Sequence, residues 1–197
     1  MIIGIVGSIG SGKTLLQTRM AYKEYFANKE SVDNWYNNYK LSEKLDEEHI
    51  IEPLTECQIV TNYKLKEIPY RYINGDELFN IKSSLKNARL FIDEMHMFVD
   101  SRSHANKTVK ALTHFILQTR HLGVILYFTT QDIGQVDIRL RKQVDILMYC
   151  SETDYKNIFR VKKIDYRDIM NIKTHTFYYN GSVYFPFYDT TEIIDIT

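Results

Sequence analysis

Hydrophobic positions along the chain alternate between short continuous runs and runs of helical period. Ile2 to Val6 is apolar and β-branched, which predicts a buried strand. From Lys13 to about Asn28, Leu15, Leu16, Met20 and Tyr25 or Phe26 recur near a 3.6-residue period, which predicts a helix. Residues 29–56 are polar and irregular, with the charged cluster SEKLDEEH, and read as a surface insertion with room for one short helix. QIVTNY at 58–63 and PYRYIN at 69–74 read as strands, and Asp76 is placed to cap a helix to about Lys86. ARLFIDE at 88–94 is a buried strand ending in two acids. Ser103 to Arg120 puts Val109, Leu112, Ile116 and Thr119 on one helical stripe. GVILYFTTQ at 123–131 and DILMYC at 145–150 are further buried strands, with a short helix from Val136 to Gln143 between them. THTFYYNGSVYFPFY sets two aromatic runs around Asn180-Gly181, which predicts a type I′ hairpin.

Strands alternating with helices predict an α/β fold, with a mainly parallel sheet covered on both faces and a β-hairpin at the C-terminus. The expected organisation is one domain over 1–197, with its core at about 1–150 and the hairpin region at about 151–197.

The 197 residues suffice for a core without disulfides or metals. Lys plus Arg equals Asp plus Glu at 25 each, so composition carries no global signal for nucleic acid, although basic groups can concentrate on one face. Cys57 and Cys150 read as free thiols of a reducing compartment. The chain opens directly on a strand, so no signal peptide is expected. No apolar run approaches the roughly 20 residues a membrane span needs. The expectation is a soluble protein of a host cytoplasm or a virion.

Chemistry concentrates in a few places. Gly7-Ser8-Ile9-Gly10-Ser11-Gly12-Lys13-Thr14 fits G-x-x-x-x-G-K-[ST] between a predicted strand and helix. Such a loop points backbone N–H groups at phosphates, and the helix N-terminus adds partial positive charge. Gly7, Gly10, Ser11, Gly12, Lys13 and Thr14 are therefore the expected ATP contacts, with Lys13 on the β- and γ-phosphates and Thr14 on Mg²⁺. The strand at 88–94 delivers Asp93 and Glu94 to the carboxyl edge of the sheet, where α/β folds bind ligands. Asp93 would hold Mg²⁺ through water, and Glu94 would polarise the attacking water as a general base. Gln131, at the end of the next strand, can contact both γ-phosphate and water. Arg120, at the end of the preceding helix, is a candidate arginine finger for a neighbouring subunit, with Arg102, Arg139 and Arg141 as rivals. Lys107 and Lys110 share a polar helix face and could line a DNA channel. His49, His96, His104, His114, His121 and His175 form no zinc-like spacing and read as surface or supporting side chains.

The order of these motifs resembles the FtsK–HerA superfamily of DNA-translocating ATPases. The likeness rests on the P-loop, then Ile92-Asp93-Glu94-Met95-His96, then Arg120-His121-Leu122-Gly123, then a strand ending Thr130-Gln131, over about residues 1–150. FYDTTEII near the end also resembles viral members. The resemblance implies a RecA-like core with an inserted glutamate-bearing strand, a homo-oligomeric and hexameric ring, and ATP-driven movement of double-stranded DNA. The small size is similar to genome-packaging ATPases of tailless double-stranded DNA viruses, which implies a capsid or membrane protein of the virion as docking partner. IDEMHMFVDSR followed by LQTRHLGVILYFTTQ is also similar to zonula occludens toxin-like assembly proteins of filamentous phages, which typically carry a transmembrane segment and a second domain. Conjugation- or plasmid-type translocases are a third possibility. A non-hydrolysing ATP switch has no use for Glu94, and a P-loop kinase would carry an Arg-rich lid without the Asp-Glu pair.

Overall fold

The computed structural model describes residues 1–42, 57–80, 85–99, 114, 116, 119 and 121–188. Eight strands form one sheet: β1 (Ile2–Val6), β2 (Gln58–Thr61), β3 (Arg71–Tyr72), β4 (Ala88–Ile92), β5 (Ile125–Thr130), β6 (Ile146–Glu152), β7 (Ile158–Asp165) and β8 (Lys173–Asn180). Their spatial order is β3-β2-β4-β5-β1-β6-β7-β8. The first six are parallel, and β7 and β8 close the sheet antiparallel. Strand β5 stands between β1 and β4, so three parallel strands end side by side at one carboxyl edge.

Both faces of the sheet are covered, as the continuous apolar runs of β1, β4 and β5 require. Alternation along each strand sorts the side chains. Leu90, Ile92, Leu126 and Phe128 pack one core with Leu78 of α2 (Gly75–Asn80) and Leu140 of α3 (Ile138–Arg141). Phe91, Tyr127, Ile3 and Ile5 pack the other, against Leu15, Leu16 and Tyr22 of α1 (Lys13–Ser42). Phe91 and Tyr127 stack across paired strands at 4.6 Å. Inside this second core, Gln17 Nε2 donates to the carbonyls of Ile92 (3.1 Å) and Tyr127 (3.2 Å), tying α1 to β4 and β5 just before their functional ends.

Several elements differ from expectation. Helix α1 runs to Ser42 rather than stopping near Asn28. The cap of α2 is Asn74, not Asp76: Asn74 Oδ1 accepts the Glu77 N–H at 2.8 Å while Glu77 returns a carboxylate to the Asn74 N–H at 3.3 Å. The described part of α2 runs to Asn80, residues 81–84 lie outside the described residues, and Lys86 is not helical. Strand β7 was not anticipated, because its alternation of Phe159 and Val161 with Arg160 and Lys162 is masked by charge. The hairpin therefore pairs β7 with β8 through residues 166–172, and Asn180-Gly181 is not its turn. Asn180 has φ −85°, whereas a type I′ turn needs positive φ there. Its side chain caps a 3-10 turn by accepting from Ser182 N at 3.0 Å. Gly181 is required for space, since a Cβ there would lie 2.4 Å from Leu15 Cδ2. The predicted helix at 103–120, with Lys107 and Lys110, lies outside the described residues.

Candidate functional site

Loop 7–14 joins β1 to α1 at the carboxyl edge. Gly10 (φ +82°) and Gly12 (φ +84°) adopt the left-handed conformation that glycine tolerates, which curls the loop. Lys13 is buried, and its Nζ donates to the Ser8 carbonyl at 3.0 Å. Gly7 cannot carry a side chain, because a Cβ would lie 2.6 Å from the Cys150 carbonyl. Burial pushes the neighbouring Cys150 thiol up to about 12, so it stays protonated and inert.

Asp93 and Thr14, distant in sequence, meet beneath this loop. Thr14 Oγ1 donates to the Asp93 carboxylate, 3.1 Å from Oδ1 and 3.0 Å from Oδ2. Thr129 Oγ1 donates to Asp93 Oδ1 at 2.5 Å and accepts the Glu94 N–H at 2.9 Å. Asn62, at the end of β2, grips the Asp93 backbone from both sides: Nδ2 donates to its carbonyl at 3.0 Å and Oδ1 accepts its N–H at 2.7 Å. Burial raises the Asp93 carboxyl to about 6, opposed by the Thr129 hydrogen bond and helped by the charge on Glu94. A hydroxyl and a carboxylate converging here are hard oxygen donors, and suit Mg²⁺ better than a softer metal.

Glu94 follows at φ +51°, a left-handed conformation uncommon for a residue with a side chain. That turn aims it at the P-loop rather than along the strand. A cavity of about 430 Å³ is lined by Gly10, Gly12, Lys13, Thr14 and Glu94. His96 Nδ1 lies 3.2 Å from Glu94 Oε2, but its geometry makes no hydrogen bond, and this buried oxygen has no hydrogen-bond partner among the described residues. Thr130 is paired with Val6, and its carbonyl accepts the Gly7 N–H at 3.4 Å, so the exposed Gln131 follows directly beside the loop. Arg139 is held by Asp137 through two guanidinium bonds of 2.9 and 2.7 Å. Arg120 and Arg102 lie outside the described residues.

The sequence reading missed an aromatic wall on the same cavity, made by Phe159, Phe185 and Tyr188. Phe159 of β7 stacks on Tyr179 of β8 at 5.5 Å, and Tyr179 OH donates to the Gly12 carbonyl at 2.9 Å. Arg19 of α1 lies over the Tyr179 ring at 5.2 Å. Residues 181–188 then cross α1, where Phe187 packs on Tyr22 at 4.6 Å, and reach Leu65 through a bridge from Tyr188. The aromatic density of 177–188 was the available signal; its link to the loop depends on β7, which was not predicted.

No helix among the described residues is long and apolar enough to cross a membrane. The N-terminal domain of zonular occludens toxin from Neisseria meningitidis is similar in structure, with a TM-score of 0.62 at 18% identity over 95% of this chain and 98% of that one. The genome packaging NTPase B204 from Sulfolobus turreted icosahedral virus 2, in complex with ATP-gammaS, is similar with a TM-score of 0.50 at 14% identity over 88% of this chain and 96% of that one. At these identities the likeness is one of fold, that of the P-loop NTPases. No curated protein sequence matches the chain. The family model described as Zonular occludens toxin (Zot) matches residues 41–189, well over half of the sequence, and the chain belongs to that family.

Proposed function

We propose that this chain is an ATP-hydrolysing motor that moves DNA during phage assembly or secretion. The observation that carries the chemistry is the Thr14 hydroxyl against the Asp93 carboxylate at 3.0 Å, directly under a loop with two left-handed glycines. Backbone N–H groups of loop 7–14 bind the phosphates, and Lys13 exchanges its carbonyl partner for phosphate oxygens. Thr14 and Asp93 would hold Mg²⁺, which would neutralise charge on the triphosphate. Glu94, which lines the cavity and whose Oε2 makes no hydrogen bond among the described residues, would take the proton of the attacking water. Gln131 orients that water from the end of β5. Phe159, Phe185 and Tyr188, on the same cavity, would exclude solvent from the bound nucleotide.

The family match supports phage assembly and secretion ahead of packaging into a finished capsid. DNA as cargo, a hexameric homo-oligomer with Arg120 acting between subunits, and a membrane or capsid protein as docking partner complete the reading. It is tested by ATP turnover with and without DNA, beside particle mass in ATP. DNA-stimulated turnover by a ring-sized particle is expected. Absence of turnover in a folded, Mg²⁺-supplied protein would sink the motor reading.

A further inference from the structure

Strand β6 turns Met148 and Cys150 into the core shared with α1, so Tyr149 and Ser151 point to the opposite face. The register extends that face across the hairpin. Lys162 lies opposite Tyr149, and Arg160 lies opposite Ser151 on one side and Tyr178 on the other. The Arg160 Nε bond to Ser151 Oγ at 3.2 Å joins two of these residues directly. Tyr178 is 61% exposed and Tyr149 39%, a costly way to display two rings. None of the β6–β8 residues on this face is acidic.

The same face opens into a groove of about 640 Å³ beside α3, lined by Arg141, Lys142, Tyr149 and Tyr166 among others. One carboxylate, Asp145, lines it, and a second, Asp132, acts on Tyr149 at its side. Asp145 Oδ2 accepts the Ile2 N–H at 2.7 Å, and Asp132, beside Tyr149, accepts the Gly134 N–H at 2.8 Å. Arg167 also lines the groove and is paired with Asp165 at 2.5 Å, so five cations stand against three carboxylates, two of them engaged by backbone donors and the third by Arg167, in a chain whose overall charge is zero. Cations interleaved with exposed rings on an open sheet match a polyanion that also offers flat apolar faces. A duplex offers phosphates but hides its base faces in the stack, whereas a single strand offers both.

We propose that the outer face of β6–β8, with the groove beside α3, is a platform for single-stranded DNA. Tyr149, Tyr166 and Tyr178 stack on bases, while Arg141, Lys142, Arg160 and Lys162 follow the phosphates. The platform rests on the DNA-moving reading for its purpose, and it is separate from the nucleotide cavity.

The test is fluorescence anisotropy of the full chain without nucleotide, using a labelled oligothymidylate and a mixed-sequence duplex of equal length over a salt series. The oligothymidylate should bind more tightly than the duplex. Tyr178→Ala or Tyr149→Ala should weaken it by roughly five- to a hundredfold, the cost of one lost stacking contact. Tyr178→Phe should restore binding, which separates the ring from the fold. Arg160→Ala and Lys162→Ala should each flatten the log–log salt slope by about 0.7. Native-like binding by all the alanine variants overturns the platform and leaves the DNA reading standing. Duplex binding as tight as single-strand binding overturns the choice of ligand. No binding of either probe at low salt overturns the platform and the DNA reading together, while ATP turnover still judges the motor. Variants that change particle mass but not DNA binding make this face a subunit interface instead.

Discussion

Tyr179 OH donates to the Gly12 carbonyl at 2.9 Å, so the strand at the sheet's antiparallel edge braces loop 7–14 where it enters α1. The contact spans 167 positions of sequence. It ties the C-terminal hairpin to the loop proposed to bind nucleotide.

Removing that hydroxyl tests the brace. Tyr179→Phe keeps the stack on Phe159 and loses one partly buried hydrogen bond, worth about 0.5–1.5 kcal/mol. The melting temperature should fall by about 1–6 °C, and nucleotide affinity, measured by titration with a fluorescent ATP analogue, should fall by up to about tenfold as the loop loosens. Gly12→Ala should be far worse. It forces a side chain into φ +84° and puts a Cβ 2.7 Å from Phe159 Cδ1. Native-like affinity in both variants would show that the hairpin does not hold the loop.

Lys13 and Glu94 should separate binding from chemistry. Lys13→Ala removes the buried cation of the loop, and nucleotide binding should collapse. Glu94→Gln keeps the shape but removes the base, so binding should persist while turnover falls by about 10²–10⁴-fold. Wild-type turnover in Glu94→Gln would assign the water-polarising role to another group.

Asp93 predicts a trade between stability and activity. Burial lifts its carboxyl from 3.8 to about 6, so its ionised form is a cost of folding. The stability this group contributes is fully present below about pH 4 and is lost as pH rises through 6, a change of at most about 3 kcal/mol. Asp93→Asn carries no such charge. In chelator and without nucleotide, the variant should resist urea better than the native chain at pH 8, by about 1–3 kcal/mol, and the advantage should vanish near pH 4. ATP turnover should be lost at every pH. An advantage of equal size at pH 4 and pH 8 would place its origin outside ionisation.

The parts of the fold that lie within one strand or helix were legible in the sequence. Ile2–Val6, Ala88–Ile92 and Ile125–Thr130 are continuous apolar runs, and their ends carry the loop, Asp93 and Gln131 to one edge. Contacts between distant segments were not legible. Asn62 grips Asp93 because β2 pairs with β4, and nothing in QIVTNY marks its amide for that task. The Asn-Gly pair misled because its turn signal assumes a free backbone. Here Gly181 answers to crowding by Leu15 and Phe159, and Asn180 to a local cap. Strand β7 escaped because Arg160 and Lys162 are exposed and alternate with its inward residues. A fully buried strand would have announced itself by apolar content.

Arg120 carries the last prediction, that it acts between subunits. Its motivation is its place ahead of the β5 strand and the FtsK–HerA pattern that Arg120, Gly123 and Gln131 share. A finger of this kind stabilises charge on the transferred phosphoryl group by about 10³–10⁵ in rate. Arg120→Ala should therefore bind ATP and hydrolyse very little. A role within one subunit gives the same phenotype, so the single variant does not decide, but mixing does. Arg120→Ala subunits keep an intact loop, and Lys13→Ala subunits keep an intact finger. In a mixed ring, some interfaces set a good Arg120 against a good ATP site. Activity should then exceed the sum of the two separate samples, with co-assembly checked by pulling down one tagged partner. If the two variants co-assemble and no activity returns, Arg120 is not a finger in trans. Arg139 is already committed to Asp137, so Arg102 and Arg141 are the next residues to replace.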